Sequence, residues 1–463
     1  MGSVHVRSIP GSVWPAIPRP DVSQLWAIYS ELERTQWLSA EEIRAGQLAQ
    51  LRVLLAHSVE QVPFYRDLFR RERIDPGAIQ TMDDVRRLPI LQRRTYQEHY
   101  PAFIAEALPA GTARTTTLRT SGTSGMPIEL PQTNLVNLFW FAFHLRDLVW
   151  CGVDLRGSLA VIRGMGAGQS AAMEGFKQPH WNEQFPMLVE NGPAFVMDVH
   201  QDPRKQLPWL LRVQPDYLLS YPSNLEFLAS LLAKSGQRLR NLKVILAIGE
   251  TLTDEARTAI EAAFGVPVKC TYSCVEAGYL ASPCPAGHGL HVHNENVLIE
   301  ILDDAGQPCG PGETGRVVLT TLLNFLTPFI RYEILDGAVL GPERCPCGRG
   351  HLLLTQVLGK RRPQIHLANG RRKDAGVLVR KLRALGDYHQ HQIIQHAIDH
   401  LTVRIVPRGE WKAEHSAEIE RSARDYFEAP IRVDIEVVER LELTGAGKFR
   451  DVIVLVDAPE SKL

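Results

Sequence analysis

Apolar positions change their period along this chain, and the changes divide it. From about Gln24 to Glu106 the pattern is helical. Ile43, Leu48, Leu51, Leu54, Leu55, Val59 and Val62 recur close to every 3.6 residues, which predicts a helix within 41–68 with one buried face. Pro63 should break or kink it before Phe64 and Tyr65, because proline lacks the N–H that a helix interior uses. The stretch 117–129 is polar and glycine-containing, between strand-like flanks. From Leu138 to about Ile330, strand-like and helical runs alternate. Residues 158–163 and 242–247 read as strands. Residues 223–233 and 254–264 read as helices, the second N-capped by Thr253 or Asp254. Alternation of this kind predicts an α/β fold with helices on a mostly parallel sheet. Residues 314–323, rich in Val and Thr, read as antiparallel or barrel-like structure.

Charge and a proline cluster at Gly359-Lys360-Arg361-Arg362-Pro363, so a domain boundary is expected there. Beyond it the pattern predicts a helix (376–385), two strands (391–396 and 401–406), a helix (413–427) and a strand (431–438), a small α+β unit. The expectation is an amino-terminal domain over 1–360 and a carboxy-terminal one over 361–463. A length of 463 residues suits two or three domains.

Composition narrows the function classes. Lys and Arg number 51 against 52 Asp and Glu, so no global charge favours nucleic acid or an anionic membrane as partner. The start lacks the basic-then-apolar order of a signal peptide, and no run of about eighteen apolar residues predicts a membrane span. Val6 stands where a myristoylation site needs Ser or Thr. Seven scattered cysteines argue against a secreted disulfide scaffold, so a cytoplasmic protein is expected.

The candidate chemistry lies in five places. Thr120-Ser121-Gly122-Thr123-Ser124-Gly125 offers hydroxyls and backbone N–H groups that can ring a phosphate, although it lacks the Walker lysine pattern. Gly249-Glu250 ends an apolar strand. Tyr272-Ser273-Cys274-Val275-Glu276 follows another strand candidate: Tyr272 could stack on a purine, and Glu276 could hold magnesium against phosphate oxygens. Arg331 and Asp336 suit phosphate and ribose hydroxyls. Lys448 sits in a glycine-bearing loop, Thr444-Gly445-Ala446-Gly447-Lys448.

In that order and spacing the motifs resemble the adenylate-forming (ANL) superfamily, and within it the branch of phenylacetate–CoA ligases and capsular-biosynthesis proteins. Leu54 to Tyr65 and Leu88-Pro89-Ile90-Leu91 resemble that branch's amino-terminal segments. The resemblance implies an enzyme that uses ATP and Mg2+ to turn a small carboxylic acid into its acyl-AMP. It implies that Thr120–Gly125 handle the phosphates, that Gly249, Glu250 and Tyr272 frame the adenine with Ser273 also in the ATP site, that Asp336 binds ribose and Glu276 the metal. Arg331 would lie nearby, and Lys448 would enter from a mobile carboxy-terminal domain. CoA is the implied acyl acceptor. An amine, hydroxyl or carrier-protein thiol, or adenylylation of a phenolic cofactor of the deazaflavin type, stands as alternative.

Three positions depart from the family pattern. Met126 stands where lysine is common, Ser273 where glycine is common, and the stretch after Gly359 lacks the usual acidic hinge residue. For the acid, Trp140, Phe141, Phe143, His144, Trp150, Tyr221 and Asn224 fall in the region that lines the acyl pocket of the resembled enzymes. Phe141, Tyr221 and Gly249 are therefore the pocket candidates, and a flat aromatic acid fits them. At helical spacing the same stripe also fits a packed core. Cys284, Cys345 and Cys347 carry zinc-ligand chemistry together with His288, His291 or His293. Branch members with a structural zinc align a Leu-His-Val segment at His291, so the resemblance favours Cys284, His291, Cys345 and Cys347, with His288 and His293 left open as the fourth ligand.

Overall fold

Local chemistry sets where the amino-terminal helices begin and end. Ser39 caps helix Ala40–Gln61 in a reciprocal box with Glu42, and Leu51, Leu54 and Leu55 are fully buried. Pro63 does more than kink that helix. It opens a new one, Pro63–Glu72, from the first-turn position where a missing N–H costs nothing. Thr133 caps helix Asn134–Trp150, which is apolar over most of its surface yet buries Arg146 and Asp147. The structure is a computed structural model and describes residues 4–12, 14–119, 128–165, 174–181, 185–360, 364–375, 378, 379, 382, 388–444 and 447–456.

A six-stranded sheet runs in the order Phe176–Gln178, Ala194–Asp198, Leu159–Arg163, Tyr217–Ser220, Val244–Ala247, Val268–Cys270. All neighbours are parallel except the first pair. Helix Asn134–Trp150 covers one face; helices Pro203–Val213, Pro222–Ser235 and Asp254–Phe264 cover the other. Sequence order reverses at strand Leu159–Arg163. In open α/β sheets the carboxyl ends beside such a reversal form the ligand crevice, and Gly164, Tyr221, Gly249 and Thr271 all follow strand ends here.

A seven-stranded antiparallel sheet follows, in the order Val297–Leu302, Thr314–Thr321, Tyr332–Leu340, Leu353–Lys360, Leu290–Val292, Gly278–Pro283, Tyr272–Cys274. The barrel-like part expected here is an open sheet, since among the described residues its two outer strands pair with no common neighbour. Two constraints hold it open. Edge strand Tyr272–Cys274 continues directly from the six-stranded sheet through Thr271, and the amino-terminal helices cover the apolar face that closure would otherwise bury.

After Lys360 the chain builds a separate core. A hairpin (Gln364–His366 with Arg372–Asp374) precedes a four-stranded sheet, Arg432–Val437, His400–Pro407, Tyr388–Ala397, Val452–Val454. Helix Ala413–Phe427 buries Ile419, Ala423 and Phe427 against it. Most of the helix expected over 376–385 lies outside the described residues, as do Arg361, Arg362 and Pro363. No helix among the described residues is long and apolar enough to cross a membrane.

Candidate active site

The crevice beyond the parallel strands gathers residues from five distant parts of the sequence. Strand Val244–Ala247 ends in a turn at Gly249, whose φ of +74° favours glycine. A Cβ built there would lie 3.1 Å from the Tyr221 ring and 3.3 Å from Lys448 Cε, so the lysine stem crosses the turn directly. The Glu250 carboxylate accepts the Ser223 N–H at 3.0 Å and the Phe449 N–H at 2.8 Å. Burial pushes its pKa up, against those hydrogen bonds and the Lys448 charge. Lys448 is held below the ordinary lysine value, first by burial, while Glu250, Glu276 and Asp336 pull the other way and Lys360 adds repulsion. Three carboxylates thus act electrostatically on one desolvated ammonium group.

Tyr272 donates its hydroxyl to Asp336 at 2.8 Å. Burial raises the Asp336 carboxyl above its usual range, opposed by the Tyr272 bond and the Lys360 and Lys448 charges. Asp336 reaches this place because strand Tyr332–Leu340 pairs it with Lys360 in the adjoining strand. Glu276 sits in the turn between strands Tyr272–Cys274 and Gly278–Pro283, where it takes an ion pair from Arg93 at 3.0 Å and lies 3.5 Å from the Tyr332 hydroxyl. Ser273 is exposed on the first of those strands, paired with Tyr279. Arg93 lies outside every sequence motif. Arg93 adjoins Arg94, an exposed partner of Glu98, and nothing in the sequence tells the two apart.

Arg331 is not brought to this group. Its guanidinium pairs in bidentate fashion with buried Glu300, at 2.9 and 3.0 Å, and donates to the carbonyls of Arg86 and Leu88. With a φ of +49° it shapes the turn that starts the Asp336 strand. The expected phosphate loop, Thr120, Ser121, Gly122, Thr123, Ser124 and Gly125, lies outside the described residues, and so does Met126. Of the pocket candidates, Tyr221 and Gly249 touch. Phe141 packs in the core on the opposite face of the parallel sheet, beside Trp140 and Phe185. In the same region His144 stacks on Phe185 and shares a short hydrogen bond with the Tyr279 hydroxyl.

About the other end of the antiparallel sheet, Cys284, His291, Cys345 and Cys347 bring their ligand atoms within 4.8 Å of one another. Gly348 donates its N–H to the Cys345 carbonyl at 3.0 Å, closing the tight turn that points both thiols inward. Burial, and then the nearby His351, lower the His291 pKa to about 4, so its imidazole is neutral and able to ligate. Burial works against ionisation of Cys347, yet hydrogen bonds from Arg349 and the neighbouring thiols hold it below its usual value; burial pushes Cys345 up to about 12. The donor set, three thiols and a neutral imidazole in a largely buried group, fits a tetrahedral zinc ion. His293 is elsewhere, 2.8 Å from the Ser282 hydroxyl.

Comparison with known proteins places this architecture. The CapK C-terminal domain family matches residues 376–454. A phenylacetate-coenzyme A ligase of Thermus thermophilus is 26% identical over 329 residues, 70% of this chain and 71% of that one. The solved structure of 2-hydroxyisobutyryl-CoA ligase in its postadenylation state, with 2-HIB-AMP, shares the fold at a TM-score of 0.69 and 19% identity over 91% of both chains. The same enzyme in its thioesterification state overlays at 0.61. The carboxy-terminal family match, the similarity to phenylacetate-coenzyme A ligases and the shared fold together support an AMP-forming ligase of the adenylate-forming superfamily.

Proposed function

We propose that this protein activates a small carboxylic acid with ATP and passes the acyl group to CoA. The acid's carboxylate oxygen attacks the α-phosphorus, the bond to the bridging oxygen of pyrophosphate breaks, and acyl-AMP remains. The CoA thiol then attacks the acyl carbon, and AMP leaves with the electrons of the acyl–oxygen bond. The thiol proton passes to solvent. The observation that carries this reading is Lys448: a lysine from the carboxy-terminal unit, lying on Gly249 in the crevice, with Glu250, Glu276 and Asp336 around it. Attack of one anion on another needs a cation where negative charge accumulates. Tyr272 and Asp336, joined by their hydrogen bond, are suited to the nucleoside. Glu276 is suited to Mg2+, which supplies charge neutralisation at the phosphates when bound; Arg93 would then release one carboxylate oxygen. Arg331 acts as a positioning residue for the Asp336 strand.

The test is a split between half-reactions. Lys448→Ala should abolish adenylation while sparing thioester formation from chemically supplied acyl-AMP; equal loss of both would contradict the reading. A flat aromatic acid is favoured because the relatives named above include a phenylacetate-coenzyme A ligase. CoA is favoured over an amine or hydroxyl acceptor because the relatives named above are CoA ligases. Supplying CoA or a small amine separately, and identifying the product, decides between them.

A further inference from the structure

Glu250 belongs to the motif that frames the adenine by resemblance, yet its side chain is turned to another task. One carboxylate oxygen accepts the N–H of Ser223, in the first turn of helix Pro222–Ser235. The other accepts the N–H of Phe449, the residue immediately after Lys448. The first partner belongs to the parallel-sheet domain and the second to the carboxy-terminal unit, so this one side chain bridges the two bodies beside the reacting lysine.

The loop it grips is already compact. Gly447 donates to the Thr444 carbonyl at 2.7 Å, Thr444 donates to the Lys448 carbonyl at 2.9 Å, and the Lys448 N–H donates to the Thr444 hydroxyl at 3.1 Å. Gly447 is pressed onto the larger domain. A Cβ on Gly447, at φ +75°, would lie 2.5 Å from Val199 and 3.0 Å from Gly164 Cα. His200, held by Asp198 at 2.7 Å, places its other ring nitrogen 3.2 Å from the Thr444 carbonyl. Glu250 contacts this segment at its lysine end.

We propose that Glu250 is a positioning residue whose carboxylate clamps the Lys448 loop in the adenylating arrangement by accepting the Phe449 N–H, and that swinging the loop away requires this bond to break. The proposal rests on the function proposed above and deepens it. A recessed carboxylate without one of its two N–H partners is poorly solvated, which favours the docked state. The bond is also directional, so it fixes where the lysine stem crosses Gly249.

The decisive experiment measures ATP–pyrophosphate exchange and hydrogen exchange on Glu250→Gln in the full-length protein. Glutamine has the same shape but offers one acceptor oxygen in place of two. Displacing a catalytic group slightly costs about tenfold or more in rate. The expected result is therefore a kcat for adenylation lowered by about that factor with KM for ATP nearly unchanged. Amide exchange should speed up in the peptide covering 444–450 but not in helix Pro222–Ser235. Gly447→Ala, which pushes the loop off from its other side, should give the same signature and guards against a Glu250 variant that simply misfolds. A raised KM for ATP with kcat intact would overturn the proposal in favour of a side-chain role in nucleotide binding; unchanged loop exchange would also overturn it. Absence of exchange activity in the unaltered protein would instead count against the proposed function.

Discussion

Lys448 has a protonation state that the crevice makes measurable. Burial lowers its pKa from the ordinary value of 10.5, and the three carboxylates only partly oppose this. The cation is the useful form, so adenylation should fall on the alkaline side at a pH below the ordinary lysine range. Lys448→Arg, which keeps its charge, should shift or remove that limb even if its rate is lower; an alkaline limb unchanged in that variant would assign the titration elsewhere. Glu276→Gln should keep the fold and weaken magnesium-dependent adenylation by roughly tenfold or more, since charge at the metal is lost. A metal titration that does not move would remove that role. A different carboxylate, Asp147, lies fully within the core, bonded to the Thr271 and Ser282 hydroxyls. Burial raises its pKa from 3.8 to about 6. Its contribution to stability is full below the unfolded value and is lost as pH rises through about 6. Asp147→Asn should therefore be more stable than the parent at pH 7, by roughly 1–3 kcal/mol, with the difference gone near pH 4. Melting at the two pH values checks the sign.

Among elements, those whose pattern is local were readable in the sequence, and those made by register were not. Helix Ala413–Phe427 and the Thr253 cap appear where the pattern put them, because a 3.6-residue stripe and a hydroxyl before it are sufficient signals. Pro63 was legible as a break but not as the start of a second helix, since that depends on the chain turning to pack Tyr65 and Phe69. The open edge of the antiparallel sheet, the partnership of Arg93 with Glu276 and the diversion of Arg331 to Glu300 depend on strands far apart in sequence. The zinc-type group lies between these cases. Its ligands were legible as residue types, but only the pairing of Leu290–Val292 with Leu353–Lys360 brings His291 to the Cys345–Cys347 turn. Freshly purified protein should carry about one zinc per chain. Cys345→Ser should lower that content and the melting temperature, without altering the magnesium dependence of adenylation. A zinc content near zero would refute the assignment.

On the scale of the whole molecule, the carboxy-terminal unit is docked with Lys448 in the crevice. Besides the Glu250 and His200 contacts, the seam includes Ser230 with His389 at 2.7 Å and a small apolar group of Phe227, Val406 and Leu441. Lys234 also donates to the Arg408 carbonyl across it at 3.1 Å, and under the proposed function this seam would part between half-reactions. Substitution of Phe227 by Ala, which removes the centre of that apolar group, should slow adenylation more than transfer from supplied acyl-AMP; an equal effect on both would deny the seam any preference between states. The central claim, that the crevice makes an acyl adenylate, is tested most directly by ATP–pyrophosphate exchange across a panel of aromatic and small aliphatic carboxylic acids. Exchange should require one of these acids and magnesium and should disappear in Lys448→Ala. Exchange that proceeds without any acid, or that survives in Lys448→Ala, would contradict it.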